Sequence, residues 1–151
     1  MTPIEKMTEL MVMHKVLGEV YSQRLTLAAQ EGGRTRPEAD VLLFLNNNPG
    51  LDTARDITKY RGFSKAYVSS AVEGLLARGL ITSLVDRKDR RCQRLSLTRE
   101  ALPLAHKLGQ TQEELVANLF EGLTQGERDA LRSTMDKVSA NLMKMRRKER
   151  V

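Results

Sequence analysis

The sequence predicts a mainly α-helical protein with one small antiparallel β-hairpin. Over most of the chain, apolar residues recur at three- and four-residue steps, which is the period of an amphipathic helix. The pattern changes at residues 81–85, which can be extended, and at Leu95 and Leu97, which alternate with polar residues as in a half-buried strand. Between these stretches lies the charged run 86–91, which we interpret as the tip of the hairpin.

The composition is that of a globular chain with a preference for anionic partners. Its 151 residues suit one compact domain, and 40% hydrophobic and 29% charged residues are ordinary proportions. A net charge of +6 favours a polyanion such as nucleic acid. Aromatic residues make up only 4% of the chain, which argues against single-strand binding, because that requires stacking platforms.

The sequence also predicts a cytoplasmic protein without membrane contact. No apolar run approaches the ~20 residues that a bilayer-spanning helix needs. Charged residues interrupt the apolar residues near the N-terminus, which is unlike a signal peptide. The single cysteine excludes an intrachain disulfide and suits a reducing compartment.

The first predicted helix covers residues 1–31 and ends at Gly32-Gly33. Its apolar surface is broader than a single stripe, so it needs more than one packing partner. We therefore expect part of this helix to contact another protein chain. Residues at helical steps form one face, namely Ile4, Met7, Met11, His14, Leu17, Tyr21 and Leu25.

A second helix is predicted to begin near Pro37, because proline is tolerated in the first helical turn. Glu38 and Asp40 suit the positive N-terminal end of the helix dipole. The apolar run 41–45 is expected in the core, and residues 46–50 have the composition of a turn.

Thr53 and Asp56 form a capping box, which predicts the start of a third helix. Ile57 and Tyr60 give this helix one apolar edge, and Gly62 is expected to end it.

Ser64 can then cap a fourth helix after a tight turn in which Phe63 supplies a core anchor. The face expected to be buried carries Val68, Val72, Leu75 and Leu76. The opposite face is mostly small or polar, so it can approach another surface closely; it carries Lys65, Ser69, Ser70 and Glu73, with Tyr67 at its edge.

Two helices, a tight turn and a hairpin with a basic tip make a winged helix-turn-helix. Gly79-Leu80-Ile81 ends the fourth helix and enters the hairpin. The fourth helix can enter a DNA major groove, which is about 12 Å wide, and the tip can reach the neighbouring minor groove or backbone. We assign residues 35–98 to this DNA-binding module.

Two further helices are predicted after the hairpin. The first covers residues 99–120, with Thr98 as its cap and Pro103 near its start. The second begins at a capping box formed by Thr124 and Glu127 and runs to about Lys148. Its coiled-coil-like seam consists of Leu131, Met135, Val138, Leu142 and Met145. We expect residues 1–31 and 99–148 to be the dimerisation helices through which two copies of the chain form a homodimer. Together with the DNA-binding module they form a single domain that covers residues 1–151.

Three motifs in the winged segment have a spacing that resembles the MarR family of bacterial transcription regulators. They are Gly79-Leu80-Ile81, Asp89-Arg90-Arg91 and Leu97-Thr98. The resemblance runs without a gap from about Leu51 to Thr98. It implies a ligand-responsive repressor that acts as a homodimer, and it implies that Leu51 forms a short extended piece bracing the hairpin.

The candidate interface has three parts. A two-fold dimer places two recognition helices in successive major grooves, so the double-stranded operator should be roughly palindromic. Phosphate contacts are expected from Thr53 and Arg55. Groove contacts are expected from Ser64, Lys65, Tyr67, Ser69 and Ser70. The tip is expected to contact DNA through Arg87, Lys88, Arg90 and Arg91, while Asp86 and Asp89 pair with these basic residues and hold the shape of the tip.

Regulation admits two hypotheses. The resemblance implies a small aromatic or phenolic effector bound between the DNA module and the dimer helices, which His14, Tyr21 and Arg24 could border. Alternatively, Cys92 lies beside arginines that lower a thiol pKa, which would suit a redox-responsive regulator.

Two other function classes compete with a DNA-binding regulator. A winged helix can serve as a protein-interaction module without DNA readout, although such a module has no need of a basic tip. An enzyme is not predicted, because we find no glycine-rich phosphate loop and no metal-ligand spacing of cysteine and histidine. We therefore expect no cofactor and no metal.

Overall fold

A computed structural model describes residues 2–149. Met1, where the first helix is predicted to begin, lies outside the described residues, as do Arg150 and Val151. The chain divides into two compact units, one extending to Leu115 and the other starting at Val116. The predicted fold class is confirmed, since the chain is mainly helical and carries one two-stranded antiparallel hairpin.

The described residues form six α-helices and two strands. In chain order they are α1 (Pro3–Glu31), α2 (Arg36–Asn47), α3 (Ala54–Arg61), α4 (Lys65–Ala77), β1 (Ile81–Val85), β2 (Gln93–Leu97), a short 3₁₀ helix (Arg99–Ala101), α5 (Leu102–Leu119) and α6 (Gln125–Lys148). None of the described helices combines the length and the apolar character that a bilayer crossing requires.

Local capping signals determine where several helices begin. The two predicted capping boxes, at the starts of α3 and α6, are both present. The structure adds one at the start of α1, between Thr2 and Glu5, and another at the start of α2, between Thr35 and Glu38. In each box the threonine hydroxyl accepts from a backbone N–H while the acid reaches back to the cap, so two donors without helical partners are satisfied.

The core of the first unit is built around α2. Of the apolar run 41–45 that was expected in the core, residues 41–44 are buried, and Leu45 is half-buried and packs against them. The other elements of this unit pack their apolar faces on the same cluster, contributing Leu25, Ile57, Val68, Ala71, Leu75, Ile81, Leu95 and Leu108. Helices α2 and α4 pack against each other through side chains of this cluster, so α2 supports the candidate recognition helix α4.

Two residues predicted on buried helix faces lie at the surface instead. The side chain of Tyr60 is 58% exposed, and that of Leu76 is 37% exposed. On α4 the buried line runs through Val68, Ala71 and Leu75, with Val72 half-buried. Leu76 is one residue beyond Leu75 and therefore lies about 100° around the helix, away from α2.

The start of α5 also differs from the prediction. Thr98 makes no side-chain cap, and its hydroxyl instead donates to the Gly79 carbonyl oxygen at 2.7 Å. A 3₁₀ turn follows it, and the α-helix begins at Leu102 rather than at residue 99. Thr98 thus fastens the end of the hairpin to the end of α4.

The hairpin is registered with Ile81 opposite Leu97 and Val85 opposite Gln93. The brace expected at Leu51 lies one to two residues later. The Leu95 N–H donates to the Asp52 carbonyl oxygen at 2.7 Å, and Thr53 bridges Arg94. Leu51 itself packs against the core.

Candidate nucleic-acid interface

The turn between α3 and α4 is tight because two residues have special roles. Gly62 adopts the left-handed region, with φ of 69°, and its N–H donates to the Thr58 carbonyl oxygen. Ser64 then accepts a hydrogen bond from the Tyr67 N–H at 3.1 Å, which caps α4. Phe63 lies between these two residues in the chain, and its ring packs at a tilt against the Tyr67 ring, with 4.8 Å between the ring centroids. The turn therefore fixes where α4 begins relative to α3.

The face of α4 that points away from the core is polar and exposed. Lys65, Ser69, Ser70 and Glu73 all lie on it. A groove between α3 and α4 is lined by Arg55 and Lys65, together with Ala54, Thr58 and Ser69. Short side chains flanked by two cations allow this face to approach an anionic surface closely.

Two predicted contact residues are engaged within the protein. The Tyr67 hydroxyl donates to Asp40 Oδ2 at 2.7 Å, and burial together with this bond raises the pKa of the phenol. Thr53 is only 7% exposed, and its hydroxyl donates to Asp56 Oδ2 at 2.7 Å while accepting from the Asp56 N–H. Both side chains therefore position helices rather than project from the surface.

The tip of the hairpin presents its basic side chains outward. Arg87, Lys88, Arg90 and Arg91 are exposed, and none of them makes an ion pair with another residue between 2 and 149. Four cations without acidic partners on one loop form a strong local positive charge, which suits contact with phosphate or a narrow minor groove.

The prediction that Asp86 and Asp89 pair with the tip cations is wrong, because neither carboxylate makes an ion pair with Arg87, Lys88, Arg90 or Arg91. Asp86 Oδ1 accepts from the backbone N–H groups of Lys88 and Asp89 at 2.6 and 3.2 Å. Asp89 Oδ1 accepts from the Arg91 N–H at 3.0 Å. The carboxylates thus hold the tip through its backbone, since short acidic side chains readily form such local turns.

Arg94 on β2 links the hairpin tip to the segment before α3 through two ion pairs. Its Nε donates to Asp86 Oδ2 and its Nη1 to Asp52 Oδ1, both at 2.7 Å. The bond from Arg94, followed by those from the Lys88 and Asp89 N–H groups, lowers the pKa of Asp86 to about 2. The same carboxylates raise the pKa of Arg94. Sequence reasoning missed this role, although Arg94 is the basic residue that alternates with apolar Leu95 in the strand.

Cys92 and the expected effector residues lie in different places. Cys92 is half-buried in a cleft that Arg55 and Arg91 also line. Tyr21 lines a separate cleft with Phe44, Arg61 and Gln112, and its hydroxyl accepts from Gln112 Nε2 at 2.7 Å. His14 and Arg24 are not among the residues lining that cleft. Within the described part of the chain, no three potential metal ligands cluster together.

Comparison with known proteins agrees with this geometry. The model of the MarR family matches residues 33–91. No curated protein matches the chain significantly. Among solved structures, a MarR transcriptional regulator from Methanosarcina mazei Go1 is 18% identical, with a TM-score of 0.76 over 91% of this chain and 99% of that chain.

Two similar structures concern regulation and DNA. The S. aureus MepR–DNA complex is 20% identical, with a TM-score of 0.69 over 86% of this chain and 96% of that chain. Bordetella bronchiseptica BpsR, whose DNA binding is regulated by 6-hydroxynicotinic acid, is 22% identical, with a TM-score of 0.65 over 87% and 98%. At these identities the likeness establishes the fold. The matched family consists of transcription regulators and not of enzymes.

Proposed function

We propose that this chain, whose residues 33–91 are those of a MarR-family regulator, is a cytoplasmic homodimer that binds a specific double-stranded DNA site and acts as a ligand-responsive repressor. One observation carries the proposal. The first unit presents the polar face of α4 and a tip of four cations without acidic partners among the described residues. Helix and tip are the two parts that a winged helix uses on a groove and its flanking phosphates.

In this proposal the predicted contact residues divide into two groups. The first group contacts the DNA groove or its phosphates, together with the cations of the hairpin tip; it consists of Arg55, Ser64, Lys65, Ser69 and Ser70. Thr53 and Tyr67 contribute by holding α3 and α4 in place, because their hydroxyls are already bonded inside the protein.

The homodimer is proposed from exposed apolar side chains in both units. In the first unit, α1 exposes Ile4, Met7, Leu10, Met11, Met13 and Val16. In the second, α6 buries no residue and exposes Leu131, Met135, Val138, Leu142 and Met145. Long rows of exposed apolar side chains are unusual on a monomeric protein, and each of these two helices carries one. A two-fold dimer would cover it and place two α4 helices ~34 Å apart, matching a roughly palindromic operator.

The effector is proposed to be a small aromatic or phenolic molecule that binds beside Tyr21. The Tyr21 cleft brings six polar side chains beside the apolar residues Leu43 and Phe44, so it offers contacts for both the polar groups and the ring of such a ligand. Arg61 is the last residue of α3 and immediately precedes the Gly62 turn, so a ligand that engages Arg61 would act on the position of α4. The regulation of BpsR by 6-hydroxynicotinic acid supports an aromatic effector. A redox response would rest on Cys92 alone, with no second cysteine in the chain.

The proposal is tested by measuring DNA binding of the purified protein to its own upstream region at two salt concentrations, with sheared competitor DNA. A discrete shift that survives the competitor and weakens with salt is expected. Binding that the competitor abolishes would leave only non-specific charge attraction at that region, and random-site selection would then have to find a preferred site. A protein that selects no site at low salt would favour the interaction module instead.

The role of the tip is tested by replacing Arg90 and Arg91 with alanine together. We expect weaker binding to all DNA sequences and a salt slope reduced by about 1–2, because each lost phosphate contact removes about 0.9 from the slope. A matched control replaces Arg132 and Lys137, which are exposed on α6 and remove the same charge elsewhere. An unchanged slope in the tip variant would exclude the tip from the interface.

A further inference from the structure

We propose that Asp40 and Glu38 on α2 are positioning residues that clamp α4 at both of its ends and thereby determine how well the protein discriminates its DNA site. The inference rests on the proposed function. Near the start of α4, the Tyr67 hydroxyl donates to Asp40 Oδ2 at 2.7 Å. At its C-terminal end, Arg78 Nη1 donates to Glu38 Oε1 at 2.8 Å.

Both carboxylates are buried, so each depends on its donors. The Asp40 side chain is 2% exposed and that of Glu38 is 5% exposed. A charge removed from water is costly unless hydrogen bonds compensate it. The buried carboxylates have few other hydrogen-bond donors available, so they hold Tyr67 and Arg78 firmly. Ion pairs at the surface, by contrast, contribute little to stability.

Each carboxylate is also fixed from its own side. Asp40 Oδ2 accepts a second bond from Arg36 Nε at 3.0 Å, and Arg36 Nη1 in turn donates to the Ser22 carbonyl oxygen at 2.8 Å. Glu38 Oε2 accepts from the Thr35 N–H at 3.2 Å in the capping box of α2. The acceptors are thus oriented before α4 meets them, as a rigid positioning site requires.

Gly74 gives independent support for the second clamp point. It lies inside α4, where glycine is about 1 kcal/mol less favourable than alanine. A Cβ at this position would collide with the Glu38 carboxylate. The absence of a side chain at residue 74 therefore leaves room for Glu38 to reach Arg78.

The two points are far enough apart to fix the tilt of the helix. From Tyr67 to Arg78 an α-helix rises about 16 Å. The buried side chains of Val68, Ala71 and Leu75 hold α4 against the core, but hydrophobic packing has no preferred direction. Hydrogen bonds depend on distance and angle, so they can fix the orientation of the helix. Base contacts require placement within about 0.5 Å, so the clamp should affect discrimination between sites more than attraction to phosphate.

The experiment compares Tyr67→Phe, Asp40→Ala and Arg78→Gln in binding to the operator and to non-specific DNA. We expect each to lower operator affinity about tenfold, as for the loss of one hydrogen bond to a charged group, while non-specific affinity stays within about twofold. Tyr60→Phe is the matched control, because Tyr60 is exposed and its hydroxyl makes no hydrogen bond with any other residue between 2 and 149.

A direct contact between Tyr67 and DNA predicts a different pattern. Asp40 is buried and cannot touch DNA, so Asp40→Ala would then leave operator discrimination unchanged, alone and in combination with Tyr67→Phe. A clamp requires Asp40→Ala, which removes the acceptor, to reproduce the loss and the double variant to be no worse than either single one. Equal losses on operator and non-specific DNA would indicate a general structural defect and overturn the proposal.

A tyrosine titration tests the clamp without DNA. Of the three tyrosines, Tyr67 should remain protonated at an alkaline pH where an exposed tyrosine ionises, and Tyr67→Phe should remove that resistant group. Asp40→Asn should allow the Tyr67 phenol to ionise more readily, because the negative charge of a neighbouring carboxylate opposes formation of a phenolate. A wild-type protein that does not discriminate its operator would refute the proposed function and the specificity role with it. A discriminating wild type with unaffected variants would refute only the clamp.

Discussion

Asp86 connects the shape of the hairpin tip to its charge. One of its oxygens accepts from two backbone N–H groups of the tip, and the other accepts from Arg94 on β2. Arg94 also reaches Asp52, which precedes α3. The tip cations are therefore carried by a loop that is tied to the helix-turn-helix, and their direction relative to α4 depends on this carboxylate.

The pH dependence of folding should reveal this role of Asp86. Its pKa falls from 3.8 to about 2 in the folded protein. The unfolded chain therefore binds more protons between these values, so the stabilising contribution is complete above about pH 4 and is lost as the pH falls through about 2. Asp86→Asn should lose this part of the acid dependence, measured as the difference between urea unfolding curves of wild type and variant from pH 5 to 2.

The control for that measurement is Asp136→Asn, an identical change at an exposed aspartate on α6. It should leave the acid profile close to that of the wild type. At neutral pH, Asp86→Asn should also weaken DNA binding, because the tip loses its anchor to β2. Parallel acid profiles for wild type and Asp86→Asn would mean that Arg94 does not stabilise this carboxylate in solution.

Side-chain partners were the part of the site that the sequence could not predict. The alternation in β2 correctly placed Arg94 on the exposed face of the strand, but its partner Asp52 lies 42 residues earlier in the chain. Tyr67 was correctly placed at the edge of the polar face of α4, yet its hydroxyl is bonded to a residue 27 positions away. Periodicity determines the face on which a residue lies, whereas the partner depends on which helices meet.

At the scale of elements, local signals were sufficient. The C-terminal end of α1, both ends of α6, the bounds of β1 and the capping box of α3 agree with the sequence prediction, because threonine caps, acids at the third position and glycines act within one helical turn. Thr98 shows the limit of such signals. As a sequence motif it resembles a helix cap, but its hydroxyl bonds instead to Gly79, which is brought near only when the hairpin closes.

The turn between α3 and α4 gives a prediction at this scale. Gly62 has φ of 69°, and no atom lies within 4 Å of a Cβ placed there, so Gly62→Ala introduces backbone strain without a clash. We expect a loss of about 1–2 kcal/mol in the free energy of unfolding. Thermal or urea unfolding of the variant measures it directly.

Gly126→Ala is the matched control for the turn variant. Gly126 lies in the first turn of α6, where a Cβ also meets nothing within 4 Å and no positive φ is required. This change should leave stability unchanged or raise it by up to about 1 kcal/mol. If Gly62→Ala were as stable as Gly126→Ala, the left-handed turn would not constrain the placement of α4.

At the scale of the whole molecule, the exposed apolar residues of α6 support the proposed homodimer. The seam of Leu131, Met135, Val138, Leu142 and Met145 repeats at coiled-coil spacing, but all five side chains are exposed. Burying a leucine side chain is worth about 1.5–3 kcal/mol. An uncovered row of such residues favours association with a second copy of the chain.

Leu142→Glu should therefore convert the proposed dimer into a monomer, because it places a charge within the apolar seam that the dimer would bury. Sedimentation velocity measures the mass of the particle, and circular dichroism verifies that the helices remain. Ser133→Glu is the control, since residue 133 lies on α6 away from the seam. A monomer should bind a two-half-site operator far more weakly than a dimer, because the second half-site contact is no longer linked to the first. A Leu142→Glu protein that kept the dimer mass would exclude the α6 seam as the interface and leave α1 as the surface that joins the two copies.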